Sequence, residues 1–186
     1  MQEISAYLAT ALKQARKDQG LSLDKAAAAT GVSKAMLGQI ERQESSPTLA
    51  TLWKIASGLH VSMSSLQGPA LNPEENRPRN AAELREQPTQ DRVLVASLFP
   101  FDPALGFEMF ELTLLPEYER YAEPHEPGVI EHVIVIEGSI EIFTDNQWHL
   151  LSKGDALRFA ADKPHGYRNL QDCSGVFHNL IHYPKR

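Results

Sequence analysis

The 186-residue chain has a single cysteine, Cys173, so no internal disulfide can form and no paired-cysteine zinc ribbon is present. No apolar run approaches the roughly 18 residues that a membrane-spanning helix needs. The N-terminus has no basic stretch followed by an apolar segment, the pattern typical of a secretory signal. We therefore expect a cytoplasmic protein in a reducing compartment that is neither exported nor embedded in a membrane.

A basic excess is also missing, since the net charge is -6. The charge is unevenly distributed, however. Residues 1–66 contain seven Lys or Arg and five Asp or Glu, a net charge of +2, whereas residues 67–186 contain eleven and nineteen, a net charge of -8. Only the first part can approach phosphate groups favourably, and with so small a charge its non-specific affinity should be modest and salt-sensitive. Dimerisation would strengthen such binding.

Residues 1–66 show a helical pattern with no convincing strand. Ile4, Leu8 and Leu12 recur at four-residue steps and form one apolar stripe, which predicts a first helix. Gly20 and Gly31 are predicted to end helices. Ser22, Ser33 and the Ser46-Pro47-Thr48 segment are typical of helix starts. The pattern predicts five helices in an all-α domain.

The pattern changes twice after this domain. Residues 67–92 contain four prolines among small and charged residues and are predicted to be a linker, with a possible short helix at 81–86. Residues 93–186 contain short runs rich in Val, Ile and Phe, separated by turn residues, which predict an all-β sandwich or barrel. The predicted strands are 93–99, 107–115, 131–137, 139–144, 155–159 and 175–183. The fold class is therefore an α + β two-domain protein.

The segment from Ala27 to Leu59 carries an ordered set of residues: Gly31-Val32-Ser33, Ile40-Glu41-Arg42, Pro47-Thr48 and an apolar stripe from Leu52. This set resembles the helix-turn-helix family of phage repressors over residues 4–66. The resemblance implies a second helix of the motif that enters the major groove of DNA.

Burial of Val32, Leu37 and Ile40 would leave the opposite face of this helix for DNA. Glutamine and lysine can bond base edges, methionine can touch a thymine methyl group, and a serine at the helix start can hold phosphate. Each of these residues could also be an ordinary polar surface residue of a helical domain. Glu41 is left out because its position in the family commonly supports the fold. The predicted DNA-binding residues are Ser33, Lys34, Met36, Gln39 and Gln43.

The C-terminal domain carries a second pattern, with His125, Glu131 and Gly138 followed by Gly154, His165 and Asn169. This spacing resembles the two motifs of the cupins over about residues 93–183. The chain departs from the family at Pro127, where a second histidine is usual, and at Ala160 and Asp162, which replace a proline and a glycine.

The resemblance implies a metal site at His125, Glu131 and His165. Two imidazoles and one carboxylate suit a divalent transition metal, with Zn favoured and Fe, Mn or Ni also compatible. Pro127 leaves two alternatives open: the site has lost its metal, or it has an additional position for an effector. Either histidine, taken alone, could be an ordinary hydrogen-bonded side chain.

Effector-binding residues are predicted from their chemistry. Arg158 and Tyr121 could bind a carboxylate or amine group, and His178, with His182 at the same parity of the last strand, could line the cavity. Arg158 and Tyr121 could equally be surface residues. His132 adjoins Glu131 on a predicted strand, so we expect it on the opposite face, at the surface.

The domain order and the stretches VSKAMLGQIERQESSPT, GVIEHVIVIEGSIE and NLIHYP resemble a family of sulfur-utilisation regulators of enteric bacteria. The resemblance implies control of genes for sulfur acquisition or metabolism, with a sulfur-containing amino acid as a candidate effector. We expect a homodimer that binds a double-stranded operator and senses an amino acid or sulfur metabolite. Two other hypotheses stay open: a cupin metalloenzyme with an attached DNA-binding module, and a cupin that serves only to dimerise the chain. No dedicated catalytic acid or base is evident beside the metal residues, so we expect a non-enzyme.

Overall fold

The computed structural model describes residues 2–69, 71, 77–86 and 92–184. It divides into two compact units, Met1–Ala70 and Leu71–Arg186. The first unit is helical and the second is built on β-strands, which confirms the predicted fold class. The predicted limits of 1–66, 67–92 and 93–186 stay predictions, and positions 70, 72–76 and 87–91 of the predicted linker lie outside the described residues. Among the described helices, none combines the length and apolar character needed to cross a membrane.

The helical unit contains five helices, as the periodicity predicts. Ser22, Ser33 and Thr48 lie at helix starts, where each side-chain hydroxyl accepts a hydrogen bond from a backbone N–H of the first turn. Gly31 ends the second helix with a φ of 64°, a left-handed conformation that favours glycine. The helices are α1 (Gln2–Asp18), α2 (Leu23–Thr30), α3 (Lys34–Glu41), α4 (Leu49–Gly58) and α5 (Met63–Gln67).

Apolar side chains from these helices meet in one core. Leu12 of α1, Leu37 and Ile40 of α3, and Ile55 of α4 are almost completely buried. Gly58 allows α2 and α4 to pack closely, because a Cβ at this position would lie only 2.4 Å from the carbonyl oxygen of Ala29. The core leaves the other side of α3 exposed.

The described residues of the second unit form a short helix and ten strands in two antiparallel sheets. One sheet has the order β1-β2-β3-β10-β5-β8 and the other the order β4-β9-β6-β7. The elements are α6 (Ala81–Leu84), β1 (Arg85–Glu86), β2 (Val93–Asp102), β3 (Phe107–Leu114), β4 (Tyr118–Ala122), β5 (Ile130–Glu137), β6 (Ser139–Thr144), β7 (Gln147–Ser152), β8 (Ala156–Ala160), β9 (His165–Asn169) and β10 (Gly175–His182).

The two sheets face each other across a core of alternating side chains. Phe110, Val133 and Phe177 of the larger sheet and Ile140 and Ile142 of the smaller sheet are buried there. Successive residues of a strand point to opposite faces, so each strand contributes every second side chain to this interior. Glu131 and His165 are buried in the same interior.

Besides the two-residue β1, three strands were missed by the sequence prediction: β4, β7 and β9. Their sequences YERYA, QWHLLS and HGYRN contain few aliphatic residues, so their alternation is hard to detect. Part of the predicted linker is also ordered. Within it, β1 pairs with β2, and Arg85 forms a 2.9 Å ion pair with Glu111 on β3, so this segment packs on the β unit.

Candidate nucleic-acid interface and metal centre

Helices α2 and α3 form a helix-turn-helix arrangement. Ser33 precedes α3, and its hydroxyl accepts a hydrogen bond from the Met36 N–H at 3.2 Å. The first N–H groups of α3 therefore lie at an exposed helix start, where an anion such as a phosphate is favoured.

Three of the five predicted DNA-binding residues, Lys34, Met36 and Gln39, lie on α3, and Ser33 caps its start. Ser33, Lys34 and Gln39 are exposed, whereas Met36 is half-buried and its sulfur lies 3.8 Å from the Ser45 hydroxyl. Lys34 forms an exposed ion pair with Asp24 on α2.

Gln43 differs from the expectation of a fifth residue on the helix face. It lies two residues beyond the end of α3, in a left-handed turn with a φ of 61°. The direction of the Gln43 side chain is therefore set by this turn and not by the exposed face of α3.

Glu41, which was left out of the predicted DNA site, is part of an inter-helical ion pair. Its two carboxylate oxygens accept hydrogen bonds from Arg16 of α1 at 2.6 and 2.9 Å. The side chains are only 12% and 8% exposed. Such a bidentate pair fixes both distance and orientation, so it holds α3 against α1.

The three predicted metal ligands lie together in the interior of the β unit. Glu131 is on β5, His165 begins β9, and His125 lies in the loop before β5, where its N–H donates to the Ala161 carbonyl at 2.9 Å. One ligand atom from each residue lies within 4.8 Å of the others. The Nε2 atoms of His125 and His165 are 3.0 and 3.6 Å from the same oxygen, Glu131 Oε1.

Neighbouring groups orient these side chains. The His165 Nδ1 atom lies 2.8 Å from the Lys163 carbonyl oxygen, which can only accept, so Nδ1 carries the proton. The other ring nitrogen, Nε2, is buried and has no hydrogen-bond partner among the residues that the structure describes. A neutral imidazole in this tautomer presents a lone pair towards Glu131, as a metal ligand does.

The second oxygen of Glu131 is held separately. Its Oε2 atom accepts hydrogen bonds from the Tyr167 hydroxyl and, at 2.9 Å, from Asn179 Nδ2. Oε1 therefore faces the imidazoles while Oε2 faces these donors. Sequence reasoning missed both residues, although Tyr167 has the same strand parity as His165.

The charges within this cluster shift its proton affinities. Burial opposes ionisation of Glu131, but the hydrogen bond from His125, the electrostatic effect of the neighbouring His165 and His125 rings, and the hydrogen bond from Tyr167 lower its pKa to about 2. Burial would lower the pKa of His125, but the hydrogen bond and charge of Glu131 and the charge of Glu108 raise it above its ordinary value. Burial and the neighbouring Glu131 raise the pKa of Tyr167 well above its ordinary value.

A further carboxylate lies in the same interior and was not predicted from the sequence. Glu108 on β3 is completely buried, and its Oε1 atom accepts a 2.6 Å hydrogen bond from the Tyr183 hydroxyl. Burial, followed by the charge of Glu108 and this hydrogen bond, raises the pKa of Tyr183 well above its ordinary value. The alternation of β3, with Phe110 and Leu112 buried, is the signal that could have placed Glu108 inside.

The predicted effector residues do not come together at this cluster. His178 lies on the opposite face of β10 from Asn179, near Glu111 at 3.6 Å, and His182 shares that face. Arg158 is paired with His132 on the opposite face of the sheet from Glu131, and the His132 side chain is half-buried rather than exposed. The pleat turns Arg158 and His178 away from the metal cluster, and effector binding by these two residues stays a prediction.

Tyr121 also points away from the cluster. It is 56% exposed and packs edge-on against Phe143 and Trp148 on the outer side of the smaller sheet. Its strand partner is Gly166, whose neighbours His165 and Tyr167 face the interior. Tyr121 therefore lies away from the metal cluster, and its role in effector binding stays a prediction.

Two other positions of the cupin pattern have structural roles. Asn169 Nδ2 donates to the carbonyl oxygens of Leu114 and Cys173 at 3.0 and 2.8 Å. Asp162, which replaces a glycine, accepts a 2.7 Å hydrogen bond from the N–H of Gly128, next to Pro127. The two departures from the family pattern are thus linked, since Asp162 ties down the loop that contains Pro127.

Comparisons with known proteins agree with both units. Residues 12–66 match the helix-turn-helix family HTH_3, and residues 110–180 match the Cupin_2 domain family. The chain is 48% identical over 185 residues to the HTH-type transcriptional regulator SutR of Escherichia coli K12, covering 100% of this chain and 99% of that protein.

Solved structures show the same similarity. A transcriptional regulator of the HTH_3 family from Vibrio cholerae is 46% identical, with a TM-score of 0.79 and coverage of 98% of both chains. The Cupin_2 domain of an XRE family transcriptional regulator from Enterobacter cloacae is also 46% identical, with a TM-score of 0.50, and covers 50% of this chain and 99% of that one. The chain belongs to the family of HTH-type transcriptional regulators that join an N-terminal helix-turn-helix domain to a C-terminal cupin domain and that includes SutR.

Proposed function

We propose that the chain is a sequence-specific DNA-binding transcription regulator whose cupin domain binds a small effector through a divalent metal at His125, Glu131 and His165. The observation that carries the metal site is the buried Nε2 atom of His165, which has no hydrogen-bond partner within the described part of the chain. A buried polar atom without a partner is unfavourable by about 1–3 kcal/mol. A metal ion would remove that penalty.

The donor set supports a divalent transition metal, with zinc favoured. Both imidazoles present Nε2 to Glu131 Oε1, and Lys163, Tyr167 and Asn179 supply the outer hydrogen bonds that orient such ligands. Three protein ligands leave at least one coordination position for a small molecule. A metal bound there would supply Lewis-acid contact to an anionic group of the effector.

The relatives support sensing rather than turnover, since the proteins from E. coli and V. cholerae are named as transcriptional regulators. We propose an amino acid or a sulfur metabolite as the effector, in line with the sulfur-utilisation resemblance. An effector changes operator affinity only if it binds one dimer arrangement better than the other.

In the DNA-binding domain we propose that Lys34 and Gln39 contact the operator from the exposed side of α3, together with Ser33, Met36 and Gln43. Lys34 can exchange its exposed partner Asp24 for a phosphate at little cost. A homodimer would place two such helices in major grooves about 34 Å apart.

Titration of the metal-stripped full chain with Zn²⁺ by calorimetry tests the metal site. We expect one ion per chain for the wild type and no specific binding for His165→Ala. His132→Ala is the matched control, because this neighbouring histidine lies on the outer face of β5, and it should bind zinc like the wild type. Zinc binding by His165→Ala with the stoichiometry and affinity of the wild type would disprove the site.

Selection of binding sites from random duplex DNA, followed by titration of the selected operator, tests the DNA-binding role. Gln39→Ala should weaken binding by about 1–3 kcal/mol and relax specificity at one base pair. Gln14→Ala removes the same side chain from the exposed surface of α1 and should leave affinity unchanged. Failure to enrich any sequence would contradict sequence-specific binding.

A further inference from the structure

The interior of the β unit holds acceptor groups that the metal site does not use. Asn179 on β10 is 2% exposed, and its Oδ1 atom is buried with no hydrogen-bond partner within the described residues. Its Nδ2 atom donates to Glu131 Oε2. Since an ionised carboxylate can only accept, the amide nitrogen must face Glu131, and this fixes Oδ1 on the other side of the amide.

Strand register places a second acceptor beside Asn179. Ile181 of β10 is paired with Glu108 of β3 on one side and with Glu131 of β5 on the other. Asn179 lies two residues earlier on the same face, so it is a diagonal neighbour of both carboxylates. Diagonal neighbours in an antiparallel sheet are about 7–8 Å apart. Side chains at diagonal positions are close enough to contact one small group together.

Both groups can accept hydrogen bonds, and neither side chain adds positive charge. The Glu108 carboxyl group accepts a hydrogen bond from the Tyr183 hydroxyl at 2.6 Å. An amide oxygen and a carboxylate together match a group that only donates and that carries positive charge. We infer that Glu108 and Asn179 bind a primary ammonium group, so that the effector is a small molecule with an ammonium group at one end and a metal-binding anion at the other. This inference rests on the proposed metal site.

The charges of the buried groups agree with such a ligand. A divalent ion balances the charges of Glu131 and Glu108 when the two imidazoles are neutral. A zwitterionic ligand keeps the site balanced, whereas an anion without an ammonium group leaves one net negative charge buried. Buried charge without compensation is strongly unfavourable.

Two probes of similar size separate the ammonium group from the metal contact. Both 2-aminoethanethiol and 1-propanethiol can bind a metal through sulfur, but the second has a methyl group in place of the ammonium group. The wild-type full chain, loaded with Co²⁺, is titrated with each probe by calorimetry. Because a hydrogen bond to a charged group contributes about 1.5–3 kcal/mol, we expect 2-aminoethanethiol to bind at least about tenfold more tightly.

Variants assign this preference to Glu108. Glu108→Gln keeps the size of the side chain and should reduce the preference to less than about threefold while 1-propanethiol binds as before, which also shows that the variant is folded. Glu111→Gln is the matched control: it removes the same charge from the same strand, but on the outer face beside Arg85 and His178, and should keep the full preference.

The outcomes are distinct. Equal affinity of the wild type for both probes overturns the ammonium site and leaves the metal site standing. An undiminished preference in Glu108→Gln overturns the assignment to Glu108. Failure of the wild-type chain to bind Co²⁺ overturns the proposed metal site and, with it, this inference.

Discussion

Arg16 of α1 and Glu41 at the end of α3 form a bidentate, largely buried ion pair. Glu41→Gln keeps the shape of the side chain but leaves the guanidinium without its charged partner. We expect the free energy of unfolding to fall by about 1–3 kcal/mol, measured by urea titration with helical circular dichroism. Glu44→Gln breaks a fully exposed pair with Arg42 and should leave the midpoint unchanged. Equal effects of the two changes would show that the Arg16 pair has no special structural role.

At Gly58 we predict that alanine destabilises the protein, although alanine is a better helix former than glycine. Alanine in a helix interior is normally favoured over glycine by up to about 1 kcal/mol. At Gly58, however, a Cβ would lie 2.4 and 2.5 Å from backbone atoms of Ala29 and Thr30. Gly58→Ala should therefore destabilise the helical unit by about 1–3 kcal/mol.

Gly38→Ala is the control for this change, because the nearest atom to its Cβ, at 3.0 Å, is the flexible end of Arg42. It should leave thermal stability the same or raise it slightly. A stabilised Gly58→Ala variant would mean that α2 and α4 are not in backbone contact.

Tyr167 should affect metal affinity without being a ligand. Tyr167→Phe removes the hydroxyl that donates to Glu131 Oε2 and should weaken Zn²⁺ binding by about tenfold or more, since outer hydrogen bonds of metal ligands have effects of this size. The measurement is competition with a chromophoric chelator. Tyr121→Phe, on the outer side of the smaller sheet, should bind zinc with wild-type affinity, and a similar loss in both variants would refute the role of Tyr167.

The raised pKa of His125 predicts that a rise in pH lowers the stability of the metal-free chain but increases its affinity for zinc. In the metal-free chain, the protonated imidazole stabilises the fold, and this stability is lost as the pH rises through the folded pKa, above the ordinary 6.5. Metal binding requires the neutral imidazole, so zinc affinity should rise over the same range and binding should release protons. Calorimetry in buffers of different ionisation enthalpy measures this release. No proton release just above pH 6.5 would contradict the raised pKa of His125.

The two units and the metal cluster could be predicted from the sequence, but for different physical reasons. Helix caps such as Ser22 and Ser33 act locally, so their effect is visible in a few neighbouring residues. The cluster of His125, Glu131 and His165 was found because the cupin spacing places all three in one pattern. The fold class was confirmed on these grounds.

Residues around the cluster were missed because strand pairing brings them in from distant positions. Asn179 contacts Glu131 across 48 positions and Tyr183 contacts Glu108 across 75, and no local pattern connects these pairs. Chemistry alone suggested Arg158 and His178, but their neighbours Phe159 and Phe177 are the buried ones. The parity argument that placed His132 on the outer face would have excluded both, had the registers of β8 and β10 been known.

The central proposal is that an effector bound at the metal site changes the affinity of the chain for its operator, and one titration tests it directly. The zinc-loaded full chain is titrated with its selected, labelled operator in the presence and absence of L-cysteine, which carries both an ammonium group and a thiol. We predict that cysteine changes the operator Kd by at least about fivefold for the wild type and not for His165→Ala. An operator Kd that is the same with and without cysteine in the wild type would contradict the proposal that an amino acid with these two groups controls DNA binding through the metal site.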